Sequence, residues 1–286
     1  MPEFTDAFGV AIVYDVHEPA AAAPRGVVQL LHGVGEHAGR YAHVVEALTD
    51  AGFVVYADDH RGHGRTGMKQ HGDARLLGRL GRGGHPAAVA AVRRLSGIIR
   101  EERPELPLIL LGHSWGSFLA QMLLDADPAG YDGVVLSGSA LRWPGSLNAG
   151  NLNARWAGPG ANGLEWLSTD PAVASAFHAD PLTTVTPLRK LFGTREAARL
   201  YGRPRRGLRD AAGHDVPILL LVGRDDSVGG PRSVHRLAQA YRVRGGLEDV
   251  TTLVYPDARH EIVNDASWPR VRADLLAWLD ARFPGR

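Results

Sequence analysis

The sequence predicts an α/β fold in which a mostly parallel sheet is covered by helices on both faces. Three observations carry that reading. Short β-branched runs alternate with longer helical patterns along the chain. Most of those runs are apolar throughout, as strands buried on both faces must be, rather than alternating apolar with polar. The balance of 44% hydrophobic to 22% charged residues suits a globular chain, and 286 residues can bury one large core.

Taken in order, strands are expected at "GVAIVYD" (9–15), "GVVQLL" (26–31), "FVVYAD" (53–58), "PLILL" (107–111), "GVVLS" (133–137), "VPILLLV" (216–222) and "VTTLVY" (250–255). Between and after them, apolar residues at helical spacing predict helices at 40–50, 86–102, 115–126, 231–243 and 267–281. Asp265 or Ser267 is the expected N-cap of the last. The rhythm breaks once. Residues 140–209 hold no clear strand but carry Pro, Gly, Asn and three of the six tryptophans, Trp143, Trp156 and Trp166. A structureless loop of that length is improbable, so a helical insertion is expected there, with 1–139 and 210–286 forming the core.

Composition removes several classes of function. A formal net charge of +1 gives no reason to expect nucleic acid or an anionic membrane as partner. The absence of cysteine excludes disulfides, thiol chemistry and cysteine-ligated zinc. The first residues, "MPEFTDAFGVAIVYDV", do not read as a secretory signal, and no apolar run approaches the roughly 20 residues of a membrane helix. A cytoplasmic enzyme is the expectation.

The most informative stretch is "PLILLGHSWGSFLAQMLL" (107–124), where a buried strand turns sharply into a helix around Ser114. G-x-S-x-G in that context is a nucleophile elbow, a strained corner that lifts the serine oxygen above the sheet. The alternative is an ordinary serine N-cap. An activated serine needs a base, and the base needs an orienting acid, in the chain order Ser, Asp or Glu, His. "GRDDSV" follows the strand 216–222, so the acid is Asp226 in preference to Asp225; Asp257 reads as a turn residue. Of the histidines beyond, His235 lies within a helical pattern, whereas His260 lies in the loop "YPDARHEIVND", and His260 is the expected base. The oxyanion hole is expected from the backbone N–H groups of Trp115 and of Val34, the latter in "HGVGEHAGRY".

Rival readings compete for some of these segments. Gly33, Gly35 and Ala38, with Asp58 twenty residues on, satisfy a dinucleotide-binding fingerprint, so an NAD-dependent oxidoreductase is the alternative of another class. Against it, the Glu36 charge would repel a pyrophosphate at the helix N-terminus. "GPGANG" (158–163) follows no strand and reads as a loop. "DDHRGHGRTG" (58–67) could gather metal ligands from Asp58, Asp59, His60 and His63, but its glycines favour a tight turn. "RPRRG" (203–207) reads as a solvated edge, and a binding scaffold would be expected to lack a triad member.

Together, "HGVGEHAGRY", "DHRGHGRTG", "GHSWGSF", "LSTDPAVASAFHADPL", "GRDDSVGG" and "YPDARHEIVND" resemble the α/β-hydrolase superfamily, within it the monoacylglycerol lipase and lysophospholipase group of serine aminopeptidase-like hydrolases. The resemblance implies a triad of Ser114, Asp226 and His260, no cofactor, and a helical cap at 140–209 shaping an apolar acyl channel. The expected substrate is a monoacylglycerol or another single-chain lipid ester; a small-ester carboxylesterase is the alternative within the fold. It also implies polar contacts near the substrate's alcohol end, for which Glu36 and Arg40 are candidates; an i,i+4 ion pair pinning the loop is the competing role. Trp115 departs from the group, where the residue after the nucleophile is small or a methionine, so its ring could narrow or re-aim the pocket.

Overall fold

The computed structural model describes residues 1–20, 23–209, 213 and 215–285. Its strands are β1 (Glu3–Thr5), β2 (Ala11–His17), β3 (Gly26–Leu31), β4 (Phe53–Asp58), β5 (Leu108–His113), β6 (Gly133–Ser137), β7 (Ile218–Gly223) and β8 (Val250–Tyr255). Its helices are α1 (Ala42–Asp50), α2 (Gly64–His71), α3 (Gly84–Glu102), α4 (Trp115–Ala126), α5 (Pro171–Ala179), α6 (Leu188–Ala198), α7 (Gly230–Ala240) and α8 (Trp268–Arg282).

One sheet runs in the order β1-β2-β4-β3-β5-β6-β7-β8. β2 is antiparallel to β1 and β4, and every later pairing is parallel. This is the α/β-hydrolase arrangement. Strands β3 to β7 are buried along their whole length, and their side chains alternate between two apolar layers. Val27, Leu31, Leu108, Leu110, Leu136 and Leu220 face α3, α4 and α7. Val28, Leu30, Ile109, Leu111, Val135 and Leu221 face α1 and α8. Registers Leu31↔Gly112, His113↔Ser137 and Gly223↔Tyr255 bring the C-terminal ends of the central strands to one rim, where ligands of open α/β sheets bind.

Several elements depart from the sequence reading. β2 begins two residues late, because Gly9 and Val10 belong to a turn closed by the Asp6 side chain, which accepts from the Phe8 and Val10 amides. The helix expected at 40–50 starts as a tight turn over Ala38–Tyr41, and the one expected at 231–243 stops at Ala240 and widens into a turn over Tyr241–Gly245. Strand β1 and helix α2 were not expected. Asp265 is not the cap of α8: its carboxylate holds the amide and hydroxyl of Thr169 at 2.9 and 2.6 Å, while Ser267 occupies the N-cap position without a capping bond.

Residues 140–209 contain α5 and α6 and, among those described, no strand. Asp170 caps α5 with Pro171 at its first turn, and α6 is broken at Gly193 (φ 77°). The expected return to the core at residue 210 lies outside the described residues.

Candidate active site

The corner between β5 and α4 is strained where the sequence places its serine. Ser114 has φ 53° and ψ −119°, and among the described residues it is the one non-glycine residue with a positive φ. Such a conformation costs about 1–3 kcal/mol and persists only where the surroundings impose it. Here they do. The Ser114 amide donates to the Ser137 carbonyl at 2.9 Å, and its own carbonyl accepts from the Ser117 hydroxyl at 2.6 Å. A Cβ on Gly116 would collide with the Leu31 and His32 carbonyls, and one on Gly112 with the Gly116 backbone; only glycines let strand and helix pass so closely.

The loops after β7 and β8 bring Asp226 and His260 to the same rim. His260 Nδ1 lies 3.0 Å from Asp226 Oδ2, and Asp226 Oδ1 accepts from the Val228 amide at 2.7 Å. Both side chains are buried. Nε2 of His260 has no hydrogen-bond partner, and Ser114 and His260 line one cavity. Burial opposes a charge on His260, but the Asp226 carboxylate outweighs it and raises the imidazole pKa above 6.5. Asp225 turns outward to Arg155 at 2.5 Å, Asp257 is exposed in a turn, and His235 is exposed on α7. Val34 and Trp115 border the cavity, and their amides donate to no group among the described residues.

Glu36, which is buried, and Arg40, which is partly so, form an ion pair, and Arg40 also reaches Glu261 through two bonds at 2.9 and 2.7 Å. Glu36 Oε1 accepts from the Gly33 amide and the Tyr41 hydroxyl, each at 2.6 Å. With both oxygens engaged, Glu36 is occupied in pinning the loop that presents Val34, although it borders the cavity. Burial raises the Glu36 carboxyl; burial also works against ionised Glu261, but its two bonds to Arg40 overcome that and hold it low. One guanidinium thus ties the Val34 loop to the His260 loop. Glu261 was missed from sequence, because its position after His260 means nothing until Arg40 is known to face it.

Elements of the rival readings are absorbed by structure. Glu36 fills the turn where a pyrophosphate would approach, and Asp58 pairs with His60 Nδ1 at 2.8 Å instead of standing free at the strand end. Asp59 accepts from the Ala38 and Arg65 amides, which closes the 58–67 turn. "GPGANG" is an exposed loop braced by Glu165, which accepts from the Asn162 and Gly163 amides.

The Trp115 ring is buried among His63, His85 and Phe192, with centroids 5.1, 6.1 and 5.1 Å away, and its indole N–H meets His85 Nε2 at 3.2 Å. It closes the side of the cavity towards α3 and α6. The cavity, about 440 Å³, is within the range of small-molecule sites. Phe118 of the core and Leu147, Leu152, Leu164, Trp166 and Leu188 of the 140–209 segment wall it with apolar surface.

Solved structures and relatives agree with this architecture. A thermostable carboxyl esterase from Bacillus coagulans, solved in complex with glycerol, is 28% identical, with a TM-score of 0.82 and coverage of 99% of this chain and 98% of that one. A monoacylglycerol lipase from Paleococcus ferrophilus is 27% identical at a TM-score of 0.67, covering 95% and 99%. A monoacylglycerol lipase of Mycolicibacterium smegmatis is 36% identical over 96% of this chain and 95% of its own length. Fold and relatives define the class: a serine ester hydrolase on an α/β-hydrolase scaffold. Within that class, the chain belongs to the Hydrolase_4 family, described as serine aminopeptidase, S33, whose model matches residues 22–267. Among the described residues no helix is long and apolar enough to cross a membrane.

Proposed function

We propose that the chain hydrolyses monoacylglycerols and similar single-chain lipid esters through an acyl-enzyme on Ser114. The observation that carries the reading is the strained Ser114 corner opening into a cavity shared with His260, whose Nε2 is unpartnered while Nδ1 rests on Asp226. His260 Nε2 takes the hydroxyl proton as Ser114 Oγ attacks the ester carbonyl carbon. The Val34 and Trp115 amides hold the oxyanion, each donor being worth about 3 kcal/mol of barrier. His260 then protonates the departing alcohol, and water repeats the sequence on the acyl-enzyme. Asp226 fixes the tautomer and stabilises the imidazolium.

Residues 140–209 act as a cap over the rim, and their apolar side chains receive the acyl chain. Support for a lipid ester comes from those walls and from the two monoacylglycerol lipases among the relatives. Arg40 with Glu36 and Glu261 then orders the rim nearest the alcohol. The expectation of a cytoplasmic enzyme rests on the sequence. A chain-length series of p-nitrophenyl esters beside monoacylglycerols tests the substrate. Medium or long chains, with monoacylglycerol preferred to triacylglycerol, are expected; a preference for acetate over every longer chain would make this a small-ester esterase.

A further inference from the structure

Trp166 is one of the three tryptophans that mark the 140–209 segment, and nothing derived so far uses its ring except as cavity wall. Its indole lies over the His260 imidazole, with ring centroids 4.8 Å apart and planes inclined by 34°. The placement is fixed from several directions. The His260 amide donates to the Trp166 carbonyl at 3.4 Å and the Glu261 amide to the Leu167 carbonyl at 2.7 Å. Arg259 donates to the carbonyls of Glu165 and Ser168, and the Trp166 amide donates to Asn153 Oδ1 at 2.9 Å. Indole and imidazole are therefore held together by their own backbones.

The imidazole also meets His113, at a centroid distance of 4.7 Å. Burial and His260 itself hold the His113 pKa at about 3, so that ring stays neutral at working pH and adds no like charge. The charged groups acting on His260 are Asp226 from the loop after β7, Glu36 from the loop after β3, and Glu261 beside it, while Arg40 acts on the neighbouring His113. When His260 takes the Ser114 proton it becomes an imidazolium in contact with a neutral imidazole and the electron-rich face of an indole. A cation within about 6 Å of an indole centroid is attracted to that face.

We infer that Trp166 is a positioning residue for the base: its indole face fixes the tilt of the His260 ring and stabilises the imidazolium formed as Ser114 attacks. This rests on the reading of Ser114 as nucleophile and His260 as base. It assigns to the 140–209 segment a part in the chemical step as well as in substrate selection.

The test replaces Trp166 alone with mono-, di- and trifluorinated tryptophan by site-specific incorporation. Fluorine withdraws density from the ring face while nearly preserving its shape, so folding is kept. The expected result is a progressive fall in kcat, about two- to fivefold across the series, the size of a partly exposed cation–π contact. KM for a fixed ester is expected to hold constant, and the acid limb of the pH–rate profile to move to lower pH. Trp166→Phe is expected to fall within the series and Trp166→Leu below it. Unchanged kcat and unchanged acid limb across the series would overturn the inference, as would a change confined to KM that scales with acyl length, which marks a mere wall of the channel. Fluorophosphonate labelling separates the two levels. Failure of wild-type protein to label at Ser114 would overturn the underlying reading, whereas normal labelling with no fluorine effect overturns this inference alone.

Discussion

The sheet rim and the 140–209 segment meet at one cavity, but they are built by different physics. The rim rests on strands buried along their whole length, two apolar layers and a serine corner held in strain by backbone bonds on both sides. The segment has a small core of its own, in which Leu164, Leu167, Ala174 and Phe177 cluster, and a helix broken at Gly193. It is fastened unevenly. Residues 165–169 are bonded to the His260 loop and to Asp265, and residues 204–209 to Asp125, Arg244, Gly245 and Glu248, while between them the hydrogen bonds to the core thin to the Thr184 amide on the Gly35 carbonyl, His37 on Asp180 at 2.8 Å, and the His85 amide on Glu196 at 2.8 Å. The difference teaches a division of labour. Where geometry must hold to fractions of an ångström the protein uses the sheet, its loops and the tightly bonded residues 165–169; where shape may vary it uses the sparsely bonded remainder of the segment.

The largest expected effects lie on the rim. Ser114→Ala is expected to lower kcat/KM by about 10⁵- to 10⁶-fold without lowering the melting temperature. Asp226→Asn leaves the ring in place but favours the wrong tautomer, and about 10³- to 10⁴-fold loss is expected in ester turnover. Losses at the rim no larger than those from apolar substitutions in the segment would break the comparison.

Next in size is the charge network joining the Val34 loop to the His260 loop. Arg40→Leu leaves Glu36 and Glu261 buried without their cation, and chemical denaturation should report about 3–5 kcal/mol less stability. The pH dependence sharpens the same point. His260 acts as its neutral form and its pKa is raised above 6.5, so kcat/KM should fall as pH drops, with a midpoint above 6.5. Asp226→Ala removes the group that raises the pKa, and the midpoint of the residual activity should move to lower pH. A profile flat between pH 5 and 8 would remove His260 from the mechanism.

The smallest effects belong to the segment. Leu152→Ala widens the apolar wall, and an approximately two- to tenfold shift in preference towards longer acyl chains is expected, with little change for the best short ester. An equal loss for all chain lengths would mean that this part of the segment serves the chemistry and not the selection.

What could be read from the chain follows the same division. Strands β2 to β8 and the placement of Ser114, Asp226 and His260 at one rim were legible because each feature is local: an apolar run, a strand-to-helix corner, an acid or a histidine in the loop after a strand. Asp265 was misread because a carboxylate before a helix looks like a cap, whereas its partner is Thr169, 96 residues away. Glu261 and Trp166 make their contacts across the interface of two segments, and spacing along the chain carries no trace of that. Helix α5 did carry a signal in "TDPAVASAFHA", an aspartate N-cap followed by proline, hidden by the polar residues around it.

The central claim is that two side chains from separate loops, His260 and Asp226, make the Ser114 hydroxyl nucleophilic, and active-site labelling tests it most directly. Wild-type protein should react with a fluorophosphonate to give a single adduct that peptide mass spectrometry maps to Ser114, and the labelling rate should collapse in His260→Ala. An adduct on another residue, or undiminished labelling of Ser114 without His260, would contradict it.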